Sequence, residues 1–339
     1  MMTEKFDLIV IGTGTAARVA AMRTHAAGRS VAVIDYKPFG GTCALRGCDP
    51  KKMLVGGAAA IDHARRMQDK GIAGMPLIDW PELIAFKRSF TDPVPEMHED
   101  SYAEKDIAAF HGQARFTGPN SVEVEGTALE GAHILIATGA KPVTLGIPGE
   151  KHLIDNEDFL ALESLPERIV MVGGGYIAAE FSSIAARANA KVTVLQRGDR
   201  MLTHFEPELV GWLMESFEAV GIDVRTGTEV TSIETAGDGY RITASSGGQS
   251  VTIEADLVIH AAGRVPNLDG LDLDAAGVAV KDRRLQLNKY LQSVSNSAVY
   301  AAGDAAQVGP PLTPVSSHDA KLVVSNILEG NGHKPDYRG

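Results

Sequence analysis

Residues 7–17, DLIVIGTGTAA, pass from a continuous apolar run into a glycine-rich turn, and the helix-forming stretch RVAAMRTHAAG follows at once. A second apolar run, SVAVID, ends at Asp35, 23 positions after Gly12. Gly12 permits a tight turn, and Gly14 lets a phosphate approach the backbone at the amino end of a helix. An acid at the distance of Asp35 can accept hydrogen bonds from a ribose. The stretch therefore predicts an α/β unit that binds a dinucleotide with an unmodified ribose, such as FAD.

The same pattern recurs at residues 168–178, RIVMVGGGYIA, followed by a helical stretch and the strand-like KVTVLQR. Here the position 23 residues after Gly173 is Gln196 rather than an acid, and Arg197 comes next. A ribose 2′-hydroxyl favours a carboxylate at this point, whereas a 2′-phosphate is repelled by a carboxylate and attracted by arginine. The second unit is therefore predicted to bind NADPH in preference to NADH.

The two units predict an α/β fold with two Rossmann-like dinucleotide-binding domains, the second inserted in the first. Residues 1–140 are assigned to the first part of the FAD-binding domain, with a helical excursion near 51–110 and a β-rich stretch near 111–137. Residues 141–264 are assigned to the NAD(P)H-binding domain, and residues 265–339 return to the FAD-binding domain. Pro93 and Pro95 are predicted to kink or break the helix that follows Trp80, because proline removes a helical hydrogen bond.

Composition limits the partners. The net charge of -11 argues against binding to nucleic acid or to anionic lipid. The amino-terminal residues show no signal-peptide pattern, and no apolar run approaches the length of a membrane span. We therefore expect a cytoplasmic protein with neither nucleic acid nor membrane as partner.

The chain has only two cysteines, Cys43 and Cys48, within residues 40–52, GGTCALRGCDPKK. Two cysteines are too few for a disulfide scaffold, and no histidine or second cysteine pair follows at the spacing of zinc ligands. No metal site is therefore predicted. The residues alone leave two alternatives, a redox pair or two ordinary buried cysteines.

Motifs along nearly the whole chain resemble those of the class I pyridine nucleotide-disulfide oxidoreductases, the group that holds glutathione reductase, dihydrolipoamide dehydrogenase and mercuric reductase. The matching segments are DLIVIGTGTAA, GGTCALRGCDPKK, HILIATGAKP, VMVGGGYIAAE, HAAGRVPN, VYAAGDAA and PLTPV. The resemblance implies an enzyme that passes a hydride from NADPH through FAD to a redox-active Cys43–Cys48 disulfide. Its substrate would be a small or protein disulfide, or a thiol-bound metal ion.

The resemblance also implies roles for individual residues. Cys43 would be the interchange thiol, and Cys48 would contact the flavin. Glu180 would pair with a lysine, which is either Lys51 or Lys52, and Tyr176 would cover the nicotinamide pocket. The positions that match the family's cofactor-binding motifs are Gly12, Gly14, Thr15, Ala16, Asp35, Gly41, Thr42, Thr138, Gly139, Gly173, Gly175, Ile177, Gln196, Arg197, Gly263, Arg264, Gly303, Asp304, Leu312 and Thr313.

Some residues depart from the family pattern. Met22 stands where glutathione reductase has a substrate-binding arginine, so glutathione is not supported as the substrate. Thr203 stands at the second arginine of the phosphate-binding pair, with Arg200 and His204 as possible substitutes. Asp49 follows Cys48 where an aliphatic residue is usual, and we expect it to alter thiol reactivity.

The chain ends where the family's carboxyl-terminal interface domain would begin, and no His-Pro dipeptide occurs in it. We therefore expect a chain that lacks this domain and is impaired in full turnover, with a homodimer expected for the longer form. Two alternatives stay open. The first is a flavoprotein that reduces quinone or oxygen, and the second is a non-catalytic nucleotide-binding fragment.

Overall fold

The computed structural model describes residues 3–338, and the chain divides into two compact units. The first unit contains the chain up to Leu45, Asp92–Lys141 and the chain from Val265 onward. The second unit contains Arg46–Thr91 and Pro142–Arg264. The chain therefore enters the second unit twice.

Eight α-helices are present in the described residues: α1 (Thr15–Ala26), α2 (Cys48–Met67), α3 (Trp80–Thr91), α4 (Val94–Ala103), α5 (Asn156–Ala161), α6 (Tyr176–Arg187), α7 (Pro207–Ala219) and α8 (Thr313–Glu329). A π-helical turn covers Thr42–Arg46, and 3-10 turns cover Glu150–His152 and Gly303–Ala305. Within residues 3–338, none of these helices combines the length and apolarity that a bilayer crossing requires.

The strands of the same residues are β1 (Glu4–Ile11), β2 (Val31–Asp35), β3 (Ala108–His111), β4 (Arg115–Gly118), β5 (Ser121–Val124), β6 (Thr127–Ile136), β7 (Ala140–Pro142), β8 (Arg168–Val172), β9 (Lys191–Leu195), β10 (Asp223–Arg225), β11 (Thr228–Ala236), β12 (Gly239–Ser246), β13 (Gln249–Ala255), β14 (Leu257–His260), β15 (Arg264–Pro266), β16 (Val280–Lys281), β17 (Arg284–Leu285) and β18 (Val299–Ala301).

The first unit is built on a seven-stranded sheet with β1 at its centre, in the order β3-β2-β1-β6-β5-β4, and β18 also pairs with β6. β1 runs parallel to β2 and β6, whereas β4 and β5 are antiparallel additions. Successive residues of β1 enter two different cores: Leu8 and Val10 pack in one, and Ile9 and Ile11 in the other. Because both faces are covered, the strand is apolar throughout rather than alternating.

The second unit has a four-stranded parallel sheet in the order β10-β9-β8-β14 and a separate antiparallel sheet, β11-β12-β13. α6 leads from β8 to β9, which gives the strand, turn, helix and strand predicted from the sequence. Its core includes Phe159 and Phe181, whose rings stack with centroids 4.4 Å apart. The predicted α/β fold with two Rossmann-like units is therefore confirmed.

Residues 46–91, which are predicted to belong to the FAD-binding domain, lie in the second compact unit. They pack in the core of the second unit, where Leu54, Trp80 and Ile84 join the Phe159 cluster. The Trp80 indole donates a hydrogen bond to the carbonyl of Leu162 at 2.9 Å. Periodicity shows that a helix has an apolar face but not what that face will cover, so the sequence could not assign this segment.

The predicted helix break at the prolines is confirmed. α3 ends at Thr91, and α4 begins at Val94 with Pro95 in its first turn. A proline is tolerated there because the first amide groups of a helix have no partner within the helix.

Tyr102 in α4 is fully buried, and its hydroxyl has no hydrogen-bond partner among the described residues. We expect Tyr102→Phe to be neutral or to stabilise the protein by up to about 1 kcal/mol, because it removes a buried polar group that gains nothing in return. Tyr300 is equally buried, but its hydroxyl donates to Asn331 and accepts from Gln292, both at 3.0 Å. Tyr300→Phe should therefore destabilise by about 1 kcal/mol.

The free energy of urea unfolding of the two variants, measured at pH 7, checks this comparison. The same measurement at alkaline pH tests the ionisation of Tyr102. Burial raises the pKa of Tyr102 to about 12. An unfolded tyrosine ionises near pH 10, so the folded state holds more protons than the unfolded state between these values. Wild-type stability should therefore fall from pH 10 to pH 12, and less steeply in Tyr102→Phe. A loss of stability in Tyr102→Phe equal to that in Tyr300→Phe would contradict the prediction.

Candidate functional site

In the first unit, the glycine-rich turn lies between β1 and α1. Gly12 has a φ of +115°, and a side chain there would clash with the carbonyl oxygen of Ala137. Gly41 has a φ of +70°, and its missing Cβ would clash with the backbone of Gly14. Only glycine can occupy these positions, because both the conformation and the space exclude a side chain.

The amino end of α1 is open to an anion. Gly14 is its N-cap, no side chain caps the helix, and no acidic residue lies in the first turn, which includes Thr15 and Ala16. By contrast, the amino end of α5 is closed by a reciprocal capping box of Asp155 and Asp158. Uncapped amide groups and the helix dipole together favour a phosphate group.

Asp35, at the end of β2, is held by the glycine-rich turn itself. Its carboxylate accepts hydrogen bonds from the Thr13 amide at 2.9 Å, from the Thr13 hydroxyl at 2.7 Å and from the Lys37 amide at 3.0 Å. The Thr138 hydroxyl, next in sequence to the Ala137 carbonyl that lies against Gly12, is buried and has no hydrogen-bond partner among residues 3–338. An open helix end, a glycine cradle and an unpartnered buried hydroxyl within one unit fit a bound dinucleotide such as FAD.

The second unit repeats this construction. Gly173 has a φ of +104°, a Cβ there would meet the carbonyl of Ala261, and Gly175 is the uncapped N-cap of α6. The Gln196 amide oxygen accepts from the Gly174 amide at 2.9 Å, as Asp35 does from Thr13. In both units the side chain 23 residues after the first glycine therefore fixes the turn. The sequence motif gave no indication of this second role.

Arg264 and Gly263, which match the cofactor-binding motifs, lie at the end of the second unit. The Arg264 guanidinium donates to the Asn156 side chain at 2.7 Å, and Asn156 in turn donates to the carbonyl of Arg46 at 3.0 Å. Sequence reasoning missed Asn156, which carries no motif of its own. Tyr176 is the first residue of α6 and is about half exposed, whereas Ile177 is buried.

The structure distinguishes the two candidate lysines. Lys51 Nζ lies 2.6 Å from Glu180 Oε1, with both side chains partly buried. Lys52 points elsewhere: it is 70% exposed, and its Nζ lies 3.8 Å from the carboxylate of Asp49. The pair that joins α2 to α6 near their amino ends is therefore Lys51–Glu180.

Cys43 belongs to the first unit and Cys48 to the second, and both are half-buried. In the first unit, the Thr313 hydroxyl donates a hydrogen bond to Cys43 Sγ at 3.4 Å. Thr313 is the first residue of α8, so Cys43 lies at the amino end of that 17-residue helix, next to Leu312 at its N-cap. In the second unit, Cys48 is itself the first residue of the 20-residue α2.

A buried carboxylate of α8 fixes the turn that contains Asp304. Gly303 has a φ of +66°, and its amide donates to the buried carboxylate of Asp319 at 3.2 Å. The other carboxylate oxygen accepts the Tyr337 hydroxyl at 2.8 Å. Burial raises the pKa of Asp319, and the two hydrogen bonds oppose that shift. Asp319 and Tyr337 are supporting residues that no sequence motif identified.

No group of three or more histidine, cysteine or acidic side chains within residues 3–338 is arranged to hold a metal ion.

Comparison with known proteins gives relatives over nearly the whole chain. The glutathione reductase of Burkholderia cepacia is 32% identical over 335 residues, which are 97% of this chain and 73% of that protein. The mercuric reductase of Staphylococcus aureus is 32% identical over 338 residues, 98% of this chain and 61% of that protein. The chain thus spans between about three fifths and three quarters of the length of these two relatives.

A solved structure, the Cu(II) complex of the HOCl-induced flavoprotein disulfide reductase RclA from Escherichia coli, matches with a TM-score of 0.86 and 26% identity. The match covers 97% of this chain and 72% of that one. Residues 6–320 also match the family described as pyridine nucleotide-disulphide oxidoreductase. With its two glycine-rich turns, its two cysteines and these relatives, the chain belongs to the pyridine nucleotide-disulphide oxidoreductases, a family of FAD-dependent enzymes with NADH or NADPH as the electron donor.

Proposed function

We propose that this chain takes electrons from NADPH and uses them to reduce a Cys43–Cys48 disulfide, which then reduces a substrate disulfide or a thiol-bound soft metal ion. The substrate class, the choice of NADPH and the role of each residue are parts of this proposal. The observation that carries it is the position of the cysteines, each at the amino end of a long helix.

A helix amino end favours a negative charge, and reactive cysteines work as thiolates. For Cys43 the helix effect is joined by a direct hydrogen bond from Thr313, since a hydroxyl donor stabilises an anionic sulfur. Two ordinary buried cysteines would have no reason to occupy two such positions. The placement therefore supports the redox pair over the structural alternative.

When bound, FAD supplies a two-electron carrier between the nicotinamide nucleotide and the disulfide. The residues of the first unit that would hold it are the Gly12–Gly14 turn, Asp35, Thr138 and Asp304. In the second unit, Lys51 and Glu180 neutralise each other's charge near the amino ends of α2 and α6. Tyr176, half exposed at the start of α6, offers a ring that can cover a bound nicotinamide.

The thiol chemistry proceeds by exchange. The Cys43 thiolate attacks one sulfur of the substrate disulfide, which forms a mixed disulfide and releases the first substrate thiolate. The Cys48 thiolate then attacks Cys43 Sγ, which releases the second substrate thiolate and forms the Cys43–Cys48 disulfide. Two protons from solvent complete the two product thiols, and two electrons from NADPH restore the reduced pair.

Two substrate classes fit this chemistry. The relatives include a glutathione reductase and a mercuric reductase, and the matching solved structure is a Cu(II) complex. A thiolate at Cys43 can attack a disulfide sulfur or bind a soft metal ion. We propose that the substrate is a small disulfide or a thiol-bound metal ion.

The experiment that tests the function is an anaerobic titration of the purified protein with NADPH, followed by visible absorbance. The expected result is a yellow protein that gains a long-wavelength band, which is absent in Cys48→Ser. Bleaching that is unchanged in both Cys43→Ser and Cys48→Ser would support the quinone or oxygen reductase instead. A colourless protein that cannot be loaded with FAD would support the non-catalytic fragment.

The contribution of Thr313 is measurable apart from turnover. In a Cys48→Ser background, which leaves one cysteine, we expect Thr313→Val to slow alkylation of Cys43 by iodoacetamide at neutral pH by about fivefold, as expected for the loss of one hydrogen bond. Thr313→Ser keeps the hydroxyl and should restore the rate. Equal rates in the valine and serine variants would show that the hydroxyl does not act on the sulfur.

The cytoplasmic location and the homodimer stay predictions. Sedimentation of the natural protein purified from its host would test the dimer.

A further inference from the structure

A charged pair that the sequence motif did not suggest lies just beyond the carboxyl end of β9. Arg197, the residue expected to attract a 2′-phosphate, lies with its Nη1 3.5 Å from Glu229 Oε1. Glu229 belongs to β11, in the separate antiparallel sheet of the same unit. Both side chains are largely exposed, at 79% for Arg197 and 56% for Glu229.

The backbone holds these two residues side by side. The Gln196 amide donates to the carbonyl of Arg225 at 2.9 Å, and the Thr228 amide donates back to the carbonyl of Gln196 at 2.9 Å. The Gly227 amide adds a third bond, to the carbonyl of Gly198 at 2.8 Å. Glu229 follows Thr228 directly, so these backbone bonds keep the backbones of Glu229 and Arg197 close together and within reach of an ion pair.

Two other polar side chains of this loop are engaged within the second unit. The Gln196 side-chain amide oxygen accepts from the Gly174 backbone amide, and its nitrogen donates to the carbonyl of Arg200. The Arg200 guanidinium donates to the carbonyl of Thr203 at 2.8 Å and to that of Phe205 at 3.4 Å. Of the two arginines within residues 196–205, Arg200 thus bonds to backbone carbonyls, and Arg197 pairs with a carboxylate.

We propose that Glu229 competes with the 2′-phosphate of NADPH for Arg197 and thereby sets the preference of this chain between NADPH and NADH. The inference rests on the proposed binding of a nicotinamide nucleotide at the second glycine-rich turn. A 2′-phosphate must displace Glu229 from Arg197 and then lie near a carboxylate that repels it. A 2′-hydroxyl meets no such repulsion and can itself donate to the carboxylate.

Two consequences follow from this arrangement. Gln196 stands where a carboxylate would bind the ribose of NADH, and Glu229 provides a carboxylate there from a strand more than thirty positions later. The second unit therefore offers Arg197 to NADPH and Glu229 to NADH. Discrimination against NADH should therefore be modest. Because both side chains are exposed, it should also depend on salt.

The test measures the dissociation constants of NADP⁺ and NAD⁺ for the FAD-loaded protein by isothermal titration calorimetry at low and at physiological salt. Glu229→Gln should tighten NADP⁺ binding by about fivefold, in line with an exposed ion pair, and change NAD⁺ binding by less than about twofold. Glu234→Gln, an exposed acid on the same strand, makes the same change in net charge and should leave the ratio of the two constants unchanged.

The Arg197→Gln background separates competition for Arg197 from the general electrostatic repulsion between the Glu229 carboxylate and the 2′-phosphate. There Glu229→Gln should give a smaller gain for NADP⁺, because no guanidinium is left to release. The inference is overturned if Glu229→Gln leaves the NADP⁺ constant unchanged, if Glu234→Gln gives the same gain, or if the gain is equal in both backgrounds. Failure of every variant to bind either nucleotide would instead overturn the proposed function, and this inference with it.

Discussion

Replacing Cys43 with serine is expected to lower NADPH-dependent reduction of a chromogenic aromatic disulfide by on the order of a thousandfold. A serine hydroxyl is almost entirely protonated at neutral pH, so it cannot replace the thiolate that attacks the substrate. The same variant should still pass electrons from NADPH to an outer-sphere acceptor such as ferricyanide within about twofold of wild type, since that path does not need the thiol.

Cys48→Ser is the matched variant for this experiment. It keeps Cys43 beside Thr313 but removes the thiol that would resolve a mixed disulfide. We expect it to accumulate a covalent adduct between Cys43 and half of the substrate, visible by mass spectrometry and released by dithiothreitol. Wild-type turnover in Cys43→Ser, with no adduct in Cys48→Ser, would exclude the cysteines from the electron path and favour a quinone or oxygen reductase.

Features that depend on residues close in sequence could be predicted from the sequence. The two turns at Gly12 and Gly173 and the helix break at Pro93 each follow from a conformational restriction on a few adjacent residues. The fold class followed from these turns, because a strand, a turn and a helix in sequence leave few possible arrangements.

Features that depend on residues distant in sequence could not be predicted. The choice between Lys51 and Lys52 depends on which side of α2 faces α6, and the assignment of residues 46–91 depends on which core receives Trp80. The bond from Thr313 to Cys43 joins residues 270 positions apart. No periodicity or local motif contains such information, because it arises only when the elements pack together.

Replacing Lys51 with methionine is expected to slow the reduction of bound flavin by NADPH by about tenfold or more in stopped-flow absorbance. Its ammonium makes a 2.6 Å ion pair with Glu180, and removing a charged hydrogen-bond partner costs roughly 1.5 kcal/mol or more. The Glu180 side chain is 38% exposed, so water can solvate the carboxylate left behind, and we take the lower end of the range.

Two control variants separate the charge from the packing of the helices. Lys52→Met makes the same chemical change one residue later, at an exposed side chain that pairs only weakly with Asp49, and flavin reduction should stay within about twofold of wild type. Asp62→Asn removes a second ion pair between α2 and α6, in which Asp62 lies 2.7 Å from Arg187. It should lower the urea midpoint of unfolding without slowing flavin reduction. Slower reduction in Asp62→Asn equal to that in Lys51→Met would show that the Lys51–Glu180 pair only docks the two helices. If only Lys51→Met is slow, the charge of Lys51 acts on the electron transfer itself.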